Sequence, residues 1–184
     1  MNFILKKFLH WSSMQELLTA QTNQNGIKSS AVYSPCKKYR YSLTRAIPNS
    51  KLSLLFILLN PSTATELAND STVSRCQKRA EILGYGSFRI CNLFAYRTKS
   101  PAIMKKYPEP IGPQNDHMLH DSILWATKII CAWGGHGTHL NRSREIREMI
   151  DTMGITADHL GLTKNDQPKH PLYLSYSQKP VRWI

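Results

Sequence analysis

Leu52-Ser53-Leu54-Leu55-Phe56-Ile57-Leu58-Leu59-Asn60-Pro61-Ser62-Thr63 is the stretch that decides the fold. From Leu52 to Leu59 the run is apolar at every position but Ser53, which predicts a strand buried on both faces. It ends in a polar loop, Asn60-Pro61-Ser62-Thr63. Downstream, helical and strand patterns alternate. A helix is expected over Ser71 to Leu83, closed by Gly84-Tyr85-Gly86. Phe88 to Leu93 reads as a strand, Pro113 to Ala126 as a helix with proline in its first turn, and Ile129 to Trp133 as a strand. Asn141 to Met153 then reads as a helix and Ala157 to Leu162 as a weaker strand. This β-α-β-α-β-α-β order predicts a three-layer α-β-α domain around a central four-stranded parallel sheet, closed by right-handed crossovers.

Upstream of this run, Ile4, Phe8, Trp11 and Leu18 recur at helical spacing, which predicts an amphipathic helix over residues 3–18. Ala31 to Tyr33 and Tyr39 to Ile47 read as antiparallel strands, followed by a turn at Pro48-Asn49-Ser50. Residues 1–50 are therefore expected to extend a single domain spanning 1–184, with no internal repeat or linker.

The chain has 184 residues, a formal charge of +12 and a pI near 9.7. Its cations recur throughout, at Lys37-Lys38-Tyr39-Arg40, Arg75 to Arg79, Arg97 to Lys99, Lys105-Lys106, Arg142 to Arg147 and in the tail. This balance favours a polyanionic partner, nucleic acid before membrane, over a merely soluble basic surface. Lys6 and Lys7 interrupt the N-terminal apolar run, so no secretory leader is read there. The four cysteines form no C-x-x-C pair, and Cys91 and Cys131 fall in apolar runs. They read as core thiols of a reducing cytoplasm, and neither a metal nor a cofactor is expected. A monomer is the expected state.

In open parallel sheets, ligands bind beyond the carboxyl ends of the strands. All four expected ends carry polar or glycine-rich residues. The first has Asn60, Ser62 and Thr63; the second has Asn92, Phe94 and Arg97; the third has Trp133, Gly134, Gly135 and His136; the fourth has Lys169, His170 and Pro171. Each also has a structural reading. Asn60 can shape a turn, Ser62 or Thr63 can cap a helix, and Trp133 can be core. Asp70 reads equally as the N-cap of the next helix, and His136 or His170, each taken alone, reads as a surface histidine. Arg75 and Arg79, at i,i+4, suit phosphate contacts or plain solvation.

Several stretches resemble the domain of unknown function 1643 family: Leu59 to Ala64, Asp70 to Cys76, Asn92 to Arg97, Gly112 to Asp116, Ala132 to Gly137 and His170 to Leu174. That likeness runs from about Tyr39 to Leu174. The same order is similar to the uracil-DNA glycosylase superfamily, with Asn60-Pro61, Asn92, Trp133-Gly134 and His170-Pro171 at its motif positions. Two features depart from that pattern. Leu59 alters the usual glycine spacing of a first loop that also lacks an aspartate, and Leu172 and Tyr173 stand where small residues are usual. The resemblance implies a uracil-DNA glycosylase-like fold and hydrolysis of the N-glycosidic bond of a flipped-out base in double-stranded DNA. Catalysis is then expected from Asn60, Asp70 and His170. Ser62, Thr63, Asn92, Phe94, Trp133 and His136 would contact the base, and Arg75, Arg97 and Lys169 the phosphates. The missing aspartate argues against plain uracil and for bulkier modified bases such as those of some phage genomes, hence a role in antiviral defence. A non-catalytic nucleic-acid binder and a hydrolase of modified nucleotides or RNA remain as alternatives.

Overall fold

The computed structural model describes residues 16–46 and 50–184. Positions 48 and 49 of the expected turn at 48–50 and all but the last three positions of the expected helix over 3–18 lie outside them. Leu18, the last of those positions, opens a strand.

A polar hairpin begins the described chain, with β1 over Leu18–Gln24 and β2 over Ile27–Tyr33 paired antiparallel. Asn25 and Gly26 turn between them with φ of 52° and 78°, both in the left-handed region. A two-residue hairpin turn requires that region, and Asn-Gly reaches it most readily. β3, Arg40–Ala46, pairs antiparallel with β2. The apolar run then supplies β4, Ser53–Leu58, in which every residue is buried.

Asp70 caps α1, Ser71–Ile82, by accepting a hydrogen bond from the Val73 amide at 2.9 Å. The helix buries Val73, Cys76 and Ala80, one apolar stripe at helical spacing. β5 covers Ser87–Asn92 and α2, a short helix with no counterpart in the sequence reading, Pro101–Lys106. There follow α3, Asn115–Trp125, β6, Lys128–Cys131, and α4, Arg142–Thr152. β7, Asp158–His159, and β8, Val181–Arg182, have two residues each.

These strands form one eight-stranded sheet in the order β1-β2-β3-β5-β4-β6-β7-β8. The architecture is mixed α/β, and one sheet combines parallel and antiparallel pairings, so the expected parallel strands do not form a separate sheet. β4 runs parallel to β5 and β6, and β6 to β7, but the other four pairings are antiparallel. The expected strand over Ala157 to Leu162 shrinks to β7, because Gly161 turns away at φ +116°. The antiparallel strands are an integral half of the sheet rather than an extension.

Two apolar clusters lie on opposite faces. One packs Leu54, Phe56 and Leu58 of β4, with Phe88 and Ile90 of β5, against Val73, Cys76 and Ala80 of α1. The other packs Leu55, Ile57 and Leu59, with Cys91, Leu93 and Trp133, against Leu119 and Ile123 of α3 and Ile146 and Ile150 of α4. Strand residues alternate between these faces, so parity sets the face that each residue within a strand serves. Cys76, Cys91 and Cys131 are free buried thiols, and Cys36 is free and exposed. Among the described residues no helix is long and apolar enough to cross a membrane.

Candidate functional site

The parallel register sets Leu58 beside Asn92. Asn92 follows Phe88 and Ile90 in parity, so its side chain faces α1. It is 1% exposed, and among the described residues neither its Oδ1 nor its Nδ2 has a hydrogen-bond partner. An amide buried in that state costs about 1–3 kcal/mol relative to a satisfied one. Its main-chain carbonyl, by contrast, accepts from Asn115 Nδ2 at 3.0 Å, so the strand end is held firmly.

After β4 the chain reaches Asn60, whose Nδ2 donates to the carbonyls of Thr98 at 2.7 Å and Pro61 at 3.1 Å. With the amide nitrogen committed, the Oδ1 oxygen is the group left to meet a ligand. Two arginines of β3 pin the loop that follows. Arg40 Nη1 donates to the Ala64 carbonyl at 2.5 Å, and Arg45 Nη2 donates to the Thr65 carbonyl at 2.6 Å and Asn69 Oδ1 at 2.9 Å. Arg40 is 2% exposed, its Nε has no partner among the described residues, and burial pushes its guanidinium down to about 10. The loop leads to Asp70, whose Oδ1 is engaged as helix cap. The Asp70 charge also acts on both Arg40 and His170.

His170 comes from the opposite end of the sequence. Gly134, at φ +75°, donates its amide to the Pro168 carbonyl at 2.7 Å, and the His170 Cβ lies 3.7 Å from where a Gly134 Cβ would stand. Desolvation holds His170 below its ordinary value despite the opposing pull of Asp70. Its Nδ1 accepts from the Leu172 amide at 3.4 Å, which places the proton of the neutral ring on Nε2. Asp70 and His170 thus share one neighbourhood on the α1 side of the sheet ends, the side that Asn92 faces.

Other expected residues fall elsewhere. Phe94 is fully buried in the opposite cluster, where its ring packs on His139 at 5.6 Å. Trp133 is 1% exposed in the same cluster, bonded to Gln167 Oε1 at 3.0 Å and packed on Trp183. Gly137 lies so close that a Cβ there would stand 2.1 Å from the Trp133 ring. Neither ring offers a face to a base, which corrects their expected role; strand parity puts Trp133 on the opposite face from Asn92, whereas Phe94 reaches that face because β5 ends at Asn92. His136 is exposed. Arg75 is likewise corrected from phosphate ligand to clamp. It donates to the carbonyls of Pro171 and Leu174 and lies over the Tyr176 ring. Arg79 does the same for Ser175 and Gln178, at 2.9 and 2.7 Å. Lys169 is exposed, with its backbone tied to Gly161 at 2.9 Å.

Ser62 and Thr63 open onto a different feature, a groove of about 390 Å³ beside the Asn60 loop, walled by Lys37, Lys38, Arg97 and Lys99. Thr98 donates its amide to the Pro61 carbonyl at 2.9 Å, so groove and loop are mechanically one unit. The sequence reading missed Arg40 and Asn115, which look like surface polar residues until the antiparallel strands and α3 bury them. Much of the arginine charge is spent inside the fold in this way. Arg142, 1% exposed, donates to the Leu93 carbonyl and pairs with Asp116 and Glu145.

Sheet and strand ends define an α/β protein with polar side chains gathered about the carboxyl ends of its parallel strands. The chain belongs to the family described as protein of unknown function DUF1643, which matches residues 40–172 and so takes in Arg40, Asn60, Asp70, Asn92 and His170. No curated protein and no solved structure matches it.

Proposed function

We propose that this protein is a DNA glycosylase that hydrolyses the N-glycosidic bond of a flipped-out, modified base. In this reading the parallel ladder β5-β4-β6-β7 is a uracil-DNA glycosylase-like core, with the antiparallel strands added at its flanks. The observation that carries the reading is the buried, unpartnered amide of Asn92 at the end of β5. A fold keeps such a group at a cost, and a donor and acceptor side by side are what a base's Watson–Crick edge requires. Asn92 would read the base, and Asn60 Oδ1 would orient a water toward the sugar C1′. Asp70 would stabilise the developing oxocarbenium charge and take the water's proton. Water oxygen bonds to C1′ as the C1′–N bond breaks, and the bonding electron pair leaves with the base. The neutral His170 ring would donate its Nε2–H to the oxygen on which that charge collects. Asn92 is enclosed, so entry of the base requires displacement of segments packed on the α1 face, to which the loop at Ala64 and the tail at Leu174 both belong.

The test is incubation with genomic DNAs that differ in base modification, scored by alkali-sensitive breaks and by the mass of the released base. Base release that persists in both Asn60→Ala and Asp70→Asn would remove the mechanism. DNA binding without abasic sites on any DNA would leave a non-catalytic binder.

A further inference from the structure

We infer that the groove between the Asn60 loop and the Lys37-Lys38 turn is a phosphodiester site that holds a DNA strand beside the reacting nucleotide. This rests on the glycosylase reading for its place in the reaction but not for its chemistry. Lys37, Lys38, Arg97 and Lys99 line a cavity of about 390 Å³ whose lining, among the described residues, includes no carboxylate, with the hydroxyls of Ser62 and Thr63 as further donors. Like charges brought together in this way repel one another unless an anion lies between them. Arg97 supplies a second sign. Its Nη1 donates to the Lys37 carbonyl at 3.1 Å and its guanidinium lies 5.1 Å from the Tyr33 ring centroid, yet its buried Nε has no partner among the described residues. The wall is therefore pre-oriented and incompletely bonded.

Size and position favour a strand over a small anion. The groove is open and far larger than one phosphate, and it borders the loop that would hold the attacking water. Ser62 and Thr63 are accordingly assigned to the backbone rather than to the base, because Ser62 is half-buried and Thr63 exposed in that groove.

The experiment compares two double variants that each remove two positive charges. Lys38→Gln with Lys99→Gln empties part of the groove. Lys28→Gln with Lys51→Gln removes exposed charge at the opposite end of the parallel strands, where Lys28 pairs with Ala46 and Lys51 precedes β4. Binding of a fluorescein-labelled duplex with no cleavable modification is followed by anisotropy across a salt titration. If both groove lysines contact phosphates, the log–log salt slope falls by about 1.8, so the affinity deficit of the groove variant shrinks roughly tenfold between about 50 and 200 mM salt. The distal variant keeps the wild-type slope to within a few tenths.

Equal slopes in the two variants would overturn the assignment. So would displacement of the duplex by a deoxynucleoside monophosphate at an ionic strength where KCl does not displace it, since that marks a small-phosphate site. Circular dichroism shows whether both variants are folded, and a groove variant that fails to fold is replaced by Lys99→Gln alone, with an expected slope change of about 0.9. Because the duplex is never cleaved, this outcome is independent of whether any base is released.

Discussion

Replacing Asn92 with leucine should make the protein at least as stable while abolishing base release. The side chain is 1% exposed, and both amide atoms lack partners among the described residues. Substituting the branched apolar isostere removes the unpaired-amide cost of about 1–3 kcal/mol. Two methyl groups are bulkier than an amide, and a near-isosteric swap in a packed core costs up to about 1.5 kcal/mol. The net expectation runs from roughly zero to about 3 kcal/mol of stabilisation, whereas an ordinary substitution destabilises by about 1 kcal/mol. For a chain of this length each kcal/mol moves the midpoint by about 2–4 °C. Thermal and urea unfolding of Asn92→Leu should therefore show a midpoint equal to or above wild type, with an unchanged m-value. A fall of more than about 1 kcal/mol would refute the reasoning, because it would mean that the resting fold already uses the amide.

Asp70→Asn should retain the cap on α1 and normal unfolding but lose base release; Asp70→Ala should in addition lose about 1 kcal/mol in a urea melt. His170 is held below the usual 6.5, so its neutral form stabilises the fold. That contribution is fully present above the unfolded value, disappears as pH falls through the lower folded value, and should be absent from the stability–pH curve of His170→Gln. Because catalysis draws on the neutral ring, the acid limb of base release should lie below 6.5 in the wild type and be missing from whatever activity His170→Gln retains. Arg79→Leu leaves the carbonyls of Ser175 and Gln178 without their charged donor. It should cost about 3 kcal/mol and open residues 171–184 to limited proteolysis, without altering the salt slope of DNA binding.

Long apolar periods made the centre of this fold legible. β4, α1, β5, α3, β6 and α4 all fall within about two residues of where periodicity and caps place them, the usual scatter of element ends. β1 escaped because Thr19, Gln21, Thr22 and Asn23 carry no apolar alternation. Its one signal, Asn25-Gly26, reads as the end of a preceding helix unless it is taken as a hairpin turn. The four strand ends could be found from sequence, but the face each one serves could not be assigned without fixing parity. Asn92 and Phe94 are two residues apart and end on opposite faces, because the chain leaves the strand at Asn92. The roles of Arg40, Arg75 and Arg79 were illegible for a different reason. Their partners lie 24 to 99 residues away and are main-chain carbonyls, which no sequence pattern marks.

The basic composition also changes meaning once the arginines are placed. Arg40, Arg45, Arg75, Arg79 and Arg142 spend their donors on loops and on the tail, so their charge is structural as well as electrostatic. What faces outward is mostly lysine, a hydrated point charge suited to a backbone whose sequence is not being read. The division suits a two-part site. Lysines and Arg97 would hold the strand at a salt-sensitive groove, while Asn92, Asp70 and His170 would act on whatever base enters behind the Asn60 loop. These two functions should separate on mutation. Groove variants should weaken binding equally for modified and unmodified DNA, and Asn92 variants should bind both kinds normally yet release no base.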